Sequence, residues 1–168
     1  MVPDHSTQLE HDTAGADIDR RPAFGYYNFA ASYHVAADLI AEQGLRATHP
    51  QAPAASLYYH ATELYLKSVL RLHGVSAKKL QKIGHDFRKL RSRAEKYGLD
   101  LQGDDSEILK LMAHGDVWSR ARYLETGSIR VPALTGLRRT SSTLREWAAT
   151  AMRKAGHPVR MPSHKKAE

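Results

Sequence analysis

The chain of 168 residues contains no cysteine, and this absence excludes both a disulfide framework and a thiolate zinc site. No apolar run approaches the roughly 20 residues that a helix needs to span a bilayer. The first residues also lack a basic start followed by an apolar stretch, so we expect no secretory signal, no membrane partner and a cytoplasmic protein. A glycine-rich phosphate loop, a His-Glu-x-x-His sequence and a serine elbow are all missing, which removes the usual signatures of nucleotide hydrolases and proteases.

Positive charge is what the sequence has in excess, and it is concentrated. The formal net charge is +7, and residues 67–98 alone carry ten lysines and arginines against two acids, Asp86 and Glu95. A solvated helix face is one interpretation of such a run. Because few acids are interleaved, we also expect a polyanionic partner, namely RNA, a nucleotide or an acidic protein. The predicted binding residues are Lys67, Lys78, Lys79, Lys82, Arg88, Lys89, Arg91 and Arg93.

Length and composition indicate one domain between two polar ends. Residues 1–22 carry five acids, and residues 156–168 are basic. Both ends are rich in proline, serine, histidine and charge, and such segments bury too little apolar surface to offset the entropy lost on ordering. We therefore predict disordered tails at residues 1–22 and 156–168, and a helical domain at residues 23–155.

Apolar side chains recur at three- and four-residue steps in five segments, which predicts five helices. They begin near residues 24, 53, 86, 104 and 133, and the fourth is expected to continue past Gly115 to Trp118 and Ala121. Glycines end the first three segments. No window shows the alternation typical of strands. Because the connections between the second, third and fourth segments are short, the predicted fold is all-α, an up-and-down antiparallel bundle of four to five helices.

The segment at residues 53–99 carries a specific order of side chains. A helix led by Pro53 contains His60-Ala61-Thr62-Glu63-Leu64-Tyr65-Leu66-Lys67, and after a basic turn come His85-Asp86-Phe87-Arg88-Lys89-Leu90 and then Gly98-Leu99. Further on, the adjacent residues Arg122 and Tyr123 place an arginine and an aromatic ring late in the fourth predicted helix. In this order the chain resembles the HEPN family of small helical proteins, and as an order of helices the resemblance extends over residues 24–155.

The resemblance implies a four- or five-helix bundle that is often a homodimer. It also implies one of three roles: an RNA-cleaving toxin, a companion of a small nucleotidyltransferase, or a protein that only binds. The cleaving members carry an arginine and a histidine with four to six residues between them, and no arginine here stands five to seven positions before any of the ten histidines. We therefore expect a non-catalytic binding protein without a cofactor, in a toxin-antitoxin or nucleotidyltransferase-associated system.

The alternative from the same resemblance is an enzyme. It is a metal-independent endoribonuclease with a rearranged site, in which His60 or His85 acts as acid or base beside Arg88 or Arg122. A metal site drawn from His60, His85, Asp86 and Asp116 is the weaker hypothesis. Adjacent helical residues diverge by about 100°, and no His-x-x-x-His pair supports the site, so we expect no bound metal.

Several of the same residues are expected to form a structural polar cluster. Glu63 and Lys67 lie four apart on one helix, in the order that favours an exposed ion pair. Glu63 also neighbours the apolar stripe, so it is alternatively a partly buried carboxylate that orients a cation from another helix, with Arg122 as the partner that the resemblance suggests. Asp86 is predicted as a helix N-cap. The members of the cluster are Glu63, His85, Asp86, Arg122 and Tyr123.

Other polar and aromatic residues of the first two helices have structural interpretations. His34 and Asp38 lie four apart, and a local hydrogen bond accounts for them. Five tyrosines have the spacing of core and rim residues, although stacking on a base or nucleotide is the alternative. These tyrosines are Tyr26, Tyr27, Tyr33, Tyr58 and Tyr59.

Overall fold

The computed structural model describes residues 22–114 and 132–160, and six helices account for most of them. They are α1 (Ala23–Gln43), α2 (Ala52–Leu72), α3 (Ala77–Ile83), α4 (Phe87–Glu95), α5 (Gly103–Ala113) and α6 (Leu134–Lys154). No strand occurs in these two ranges, so the all-α prediction is confirmed for them. The tails predicted at both ends fall largely on residues 1–21 and 161–168, which lie outside the described residues. None of the described helices is long and apolar enough to cross a membrane.

Helix α2 is the central element, because it is buried around most of its circumference. Every residue from 65 to 70 is buried. Its most extensive interface is with α1, and it also packs against α6, α4 and α3. At the α1 interface the fully buried ring of Tyr65 lies 5.7 Å, centroid to centroid, from the ring of Tyr27. The side chains of α2 therefore reach the interfaces of four other helices.

A short helix replaces the basic turn that the sequence suggests between the second and third predicted segments. Ser76 begins α3, since its hydroxyl accepts a hydrogen bond from the backbone N–H of Lys79 at 3.3 Å. Gly84 ends this helix with a positive φ of 61°. Only three residues separate α3 from α4, so the lysines of α3 and the arginines of α4 are close in the sequence.

Helix α5 is held between α4 and α6 by polar contacts. The guanidinium of Arg91 in α4 donates to the hydroxyl of Ser106 at 2.9 Å, and Asp105 accepts hydrogen bonds from Thr140 and Thr143 of α6. The helix ends at Ala113. The continuation predicted past Gly115 lies outside the described residues.

Candidate functional site

Glu63 lies at the centre of a buried polar contact between α2 and the residue pair that precedes α4. Its side chain is 7% exposed, and each of its carboxylate oxygens has a partner. Oε1 accepts a hydrogen bond from Nζ of Lys67 at 2.5 Å, and Oε2 lies 2.6 Å from Nδ1 of His85. We call these three residues, Glu63, Lys67 and His85, the Glu63 cluster.

The Glu63 cluster fixes the orientation of the His85 imidazole. Because a carboxylate only accepts hydrogen bonds, Nδ1 of His85 carries the hydrogen in this contact, and Nε2 of the neutral ring holds the lone pair. The His85 side chain is 66% exposed, in contrast to its buried partner. A solvent-accessible imidazole held by a carboxylate is suited to general acid or base chemistry and to hydrogen bonding with a phosphate oxygen.

Two expectations about Glu63 have different outcomes. The predicted ion pair with Lys67 forms, but it is buried and not exposed, because α4 packs on this region of α2. The alternative expectation is a partly buried carboxylate that orients a cation from another helix; the carboxylate is buried, but the second described group that it holds is the imidazole of His85, which precedes α4. Arg122 and Tyr123, which the sequence assigns to the same cluster, lie outside the described residues.

Asp86 caps α4, as the sequence predicts. Its Oδ1 accepts a hydrogen bond from the backbone N–H of Lys89 at 3.1 Å, and its Oδ2 lies 2.9 Å from the ammonium of the same residue. These hydrogen bonds, first the one from the side chain of Lys89 and then the one from its backbone, hold the pKa of Asp86 below its usual range. Asp86 therefore fixes the start of the helix that carries Arg88, Arg91 and Arg93.

The exposed cations of α3 and α4 form a second candidate site, which we call the basic surface. In α3 the apolar residues Ala77, Leu80 and Ile83 are buried, while all three lysines are exposed. In α4 the buried stripe leaves the arginines and Lys89 exposed or half-buried. The basic surface consists of Lys78, Lys79, Lys82, Arg88, Lys89, Arg91 and Arg93.

Carboxylates neutralise only part of the basic surface. Lys89 pairs with Asp86, and Nε of Arg91 lies 2.8 Å from Oε1 of Glu95. Lys67, which the sequence also predicts as a binding residue, is 8% exposed and belongs to the Glu63 cluster instead. Five members of the surface form no ion pair within the described residues, namely Lys78, Lys79, Lys82, Arg88 and Arg93.

The five tyrosines of α1 and α2 divide between the core and a cleft. Tyr27, Tyr58 and Tyr59 are buried, as the packing interpretation predicts. Tyr26 and Tyr33 line a cleft of about 480 Å³ between the two helices. In the part of the chain that the structure describes, no lysine or arginine borders this cleft, and its other lining residues are Pro22, Gly25, Phe29, His60 and Leu64.

The two histidines proposed as acid or base have different surroundings. The ring of His60 stacks on that of Tyr33 in α1, with 5.2 Å between centroids and 19° between planes. His85 lies against Glu63 instead. An imidazole oriented by a carboxylate is therefore found at His85, and His60 is an aromatic wall of the cleft.

A further buried polar group joins α1, α2 and α6. Nδ1 of His34 lies 2.9 Å from the hydroxyl of Ser141, and its Nε2 lies 3.5 Å from Oδ2 of Asp38, the contact that the sequence suggests. Oδ1 of Asp38 accepts a hydrogen bond from the hydroxyl of Tyr58 at 2.6 Å. Burial lowers the pKa of His34 to about 4, against the opposing effect of Asp38. The ring is therefore neutral near pH 7.

One exposed pair of rings was not anticipated as a site. The spacing of Phe87, Leu90, Ala94 and Tyr97 predicts that Tyr97 lies on the apolar stripe of the third predicted helix, but α4 ends at Glu95 and Tyr97 is 37% exposed. Its ring stacks on the ring of His73, with 4.2 Å between centroids and 6° between planes. The available signal was that each ring directly precedes a glycine, Gly74 or Gly98, that ends a helix.

No group of three or more histidine, aspartate or glutamate side chains in the described ranges has the geometry to hold a metal ion. Asp116, a member of the weaker metal hypothesis, lies outside those ranges. Comparison with known proteins gives no match, whether to a family model, to a curated protein or to a solved structure.

Proposed function

We propose that this protein binds RNA through the basic surface, as a HEPN-like antiparallel helical bundle without chemistry of its own. The observation that carries the proposal is the set of five exposed or half-buried cations that form no ion pair within the described residues. Exposed cations that carboxylates do not neutralise are available to phosphate oxygens, and phosphate contacts supply most of the sequence-independent affinity for nucleic acids.

The arrangement of the helices supports the same proposal. Both α3 and α4 bury an apolar stripe against α2, so their charged residues are held outward on fixed backbones. Residues 84–86 are the only connection between the two helices, which keeps the lysines of α3 near the arginines of α4. Cations on folded helices lose less backbone entropy on binding than the same charges on an unstructured segment, because the helix already fixes the backbone.

Salt dependence tests this proposal. Fluorescence anisotropy of a labelled single-stranded RNA is measured between about 50 and about 200 mM salt. We expect the logarithm of the association constant to fall linearly with the logarithm of the salt concentration, with a slope of about −3.5 if the five unpaired cations contact phosphates, because each contact contributes about −0.7 on a single strand. A flat response would remove the proposal, since binding would then not depend on phosphates.

The Glu63 cluster favours a second candidate function, cleavage of RNA by a rearranged site. Histidine acts as acid or base when a partner fixes its tautomer, and Glu63 supplies that partner for His85. The exposed ring lies one residue before the N-cap of α4 and therefore at one end of the basic surface.

Incubation with end-labelled transcripts separates the two functions. If His85 takes part in cleavage, fragments appear with the unaltered protein, and the rate falls by about a hundredfold or more in His85→Ala. His114→Ala is the matched control, because His114 is also exposed and no described contact links it to Glu63. Equal cleavage by the unaltered protein and His85→Ala would assign the activity to another source.

A further inference from the structure

The His73–Tyr97 pair is an exposed aromatic stack at the junction of two helix ends. The two rings are nearly parallel and 4.2 Å apart, yet both residues remain solvent-exposed. Parallel stacking occupies only the facing side of each ring, so the exposed area comes from the outer faces and edges. Such a pair presents a flat aromatic surface to the solvent.

The backbone holds these rings in place by the same device at both helix ends. Gly74 and Gly98 have positive φ angles of 84° and 83°, which reverse the chain directly after each ring residue. The backbone N–H of Val75 then bonds to the carbonyl of Leu70, and the N–H of Leu99 bonds to that of Ala94. These are the six-residue closures of a Schellman motif, so the position of each ring is set by a closed turn.

Cations of the basic surface flank the pair from both sides along the chain. Helix α3, with Lys78 near its start, begins four residues after His73. Tyr97 comes directly after the exposed Lys96 and one helical turn after Arg93. Neither Arg93 nor Lys96 forms an ion pair with a described residue. The stack is therefore adjacent to cations, unlike the cleft between α1 and α2, whose described lining contains none.

We propose that the outer face of the His73–Tyr97 pair is a stacking site for an unpaired base of single-stranded RNA. The inference rests on the proposed function and adds a specificity to it. Proteins that bind single strands combine a row of cations that follows the phosphates with aromatic rings on which bases stack. Bases of a duplex are already stacked on one another, so this site selects single-stranded over double-stranded RNA.

The first variant to test is Tyr97→Leu, with Tyr97→Phe as its matched control. Loss of one base stack lowers the affinity for a single-stranded RNA by about five- to 150-fold, while Tyr97→Phe retains the ring and the affinity. The slope of the affinity against salt stays the same in both variants, because no phosphate contact is removed. Circular dichroism and urea unfolding establish that Tyr97→Leu remains folded, as the partial exposure of this side chain leads us to expect.

A second measurement reports stacking directly. A single-stranded RNA that carries 2-aminopurine at one position loses fluorescence when that base stacks on a ring, so binding of the unaltered protein quenches the probe and binding of Tyr97→Leu does not. Affinity for a duplex of the same length is equal in the two proteins.

Three outcomes would overturn the stacking site while leaving RNA binding intact. The first is an unchanged affinity of Tyr97→Leu for single-stranded RNA. The second is a loss of single-strand affinity in Tyr97→Phe as large as that in Tyr97→Leu. The third is a loss of duplex affinity in Tyr97→Leu as large as its loss of single-strand affinity. In each case the salt-dependent binding of the unaltered protein persists, which distinguishes failure of the stacking site from failure of the proposed function. Absence of any salt-dependent RNA binding by the unaltered protein would overturn both.

Discussion

Nδ1 of His85 lies 2.6 Å from Oε2 of Glu63, across 22 positions of the sequence. The contact joins a mostly exposed imidazole to a carboxylate that is nearly enclosed. The other oxygen of the same carboxylate accepts a hydrogen bond from the ammonium of Lys67, which is also buried. A buried ion lowers stability unless its partners are in place, so the removal of one ion of the buried pair destabilises the protein by leaving the other without a counter-ion.

The first prediction concerns this dependence. Glu63→Gln removes the negative charge but keeps the shape, and it leaves the ammonium of Lys67 buried without a counter-ion. We expect the free energy of unfolding, measured with urea, to fall by about 3 kcal/mol. The control is Glu95→Gln, which breaks the more exposed pair with Arg91 and should cost less than about 1 kcal/mol.

A double variant shows whether the loss arises from the unpaired charge. Glu63→Leu combined with Lys67→Met replaces both ions by apolar groups of similar size, so no buried charge remains. Such replacements are often neutral or stabilising, and we expect the double variant to recover most of the stability lost in Glu63→Gln. A double variant as unstable as the single one would show that shape, and not charge, accounts for the effect.

The helices were largely predictable because their signals are local. Apolar spacing identified α1, α2 and α6 to within one or two residues at most ends, and the acidic side chain of Asp86 identified the start of α4. Gly44 stops α1 at the predicted position. Such signals depend on propensity, periodicity and capping, which a sequence displays without knowledge of the tertiary contacts.

The candidate site was less predictable because its contacts are long-range. The spacing of Glu63 and Lys67 gives their ion pair but not its burial, which depends on α4 lying against α2. The partnership between Glu63 and His85 has no fixed spacing at all. Likewise, the apolar spacing of the third predicted helix predicts that Tyr97 packs in the core. In the structure α4 ends two residues earlier, at Glu95, and the ring of Tyr97 stacks on that of His73.

The second prediction is a loss of stability in acid that depends on His34. The pKa of this histidine is about 4 in the folded protein and 6.5 in the reference state, so the unfolded chain binds the proton first. Stability is therefore fully present above pH 6.5 and is lost as the pH falls towards 4, by about 3 kcal/mol in total.

His34→Gln tests this assignment, because the amide can still bond to Ser141 but does not titrate. Urea unfolding between pH 4 and pH 7 should show a flatter profile in the variant than in the unaltered protein. The titratable and charged groups that face His34 are Asp38 on α1, Tyr58 and Tyr65 on α2, and the guanidinium groups of Arg138 and Arg145 on α6. An identical profile in the two proteins would assign the acid sensitivity to those neighbours.

The third prediction concerns the basic surface. Replacement of Lys78, Lys79 and Lys82 by glutamine removes three exposed cations that form no ion pair with a described residue, and it leaves the buried face of α3 unchanged. If each lysine contacts a phosphate, the salt slope of RNA binding becomes less steep by about 2. Arg153→Gln with Lys154→Gln is the control, since these exposed cations lie at the end of α6. An unchanged slope in the triple variant would exclude the α3 lysines from the interface.

The last prediction concerns the crossing of α5 and α6. A Cβ at Gly136 of α6 would lie 2.6 Å from Cδ1 of Ile108 in α5, so Gly136→Ala forces the isoleucine to move. Overpacking of this kind costs about 1 to 3 kcal/mol, against a gain of about 1 kcal/mol in helix propensity. We expect a net loss of about 1 kcal/mol in the free energy of unfolding, measured with urea.

The control is the same substitution in an Ile108→Val background. The clashing carbon is then absent, and Gly136→Ala becomes neutral or stabilising. The free-energy changes of Gly136→Ala and Ile108→Val are then coupled by about 1 kcal/mol or more. If the change in the double variant were instead the sum of the two single changes, α5 and α6 would not be this close.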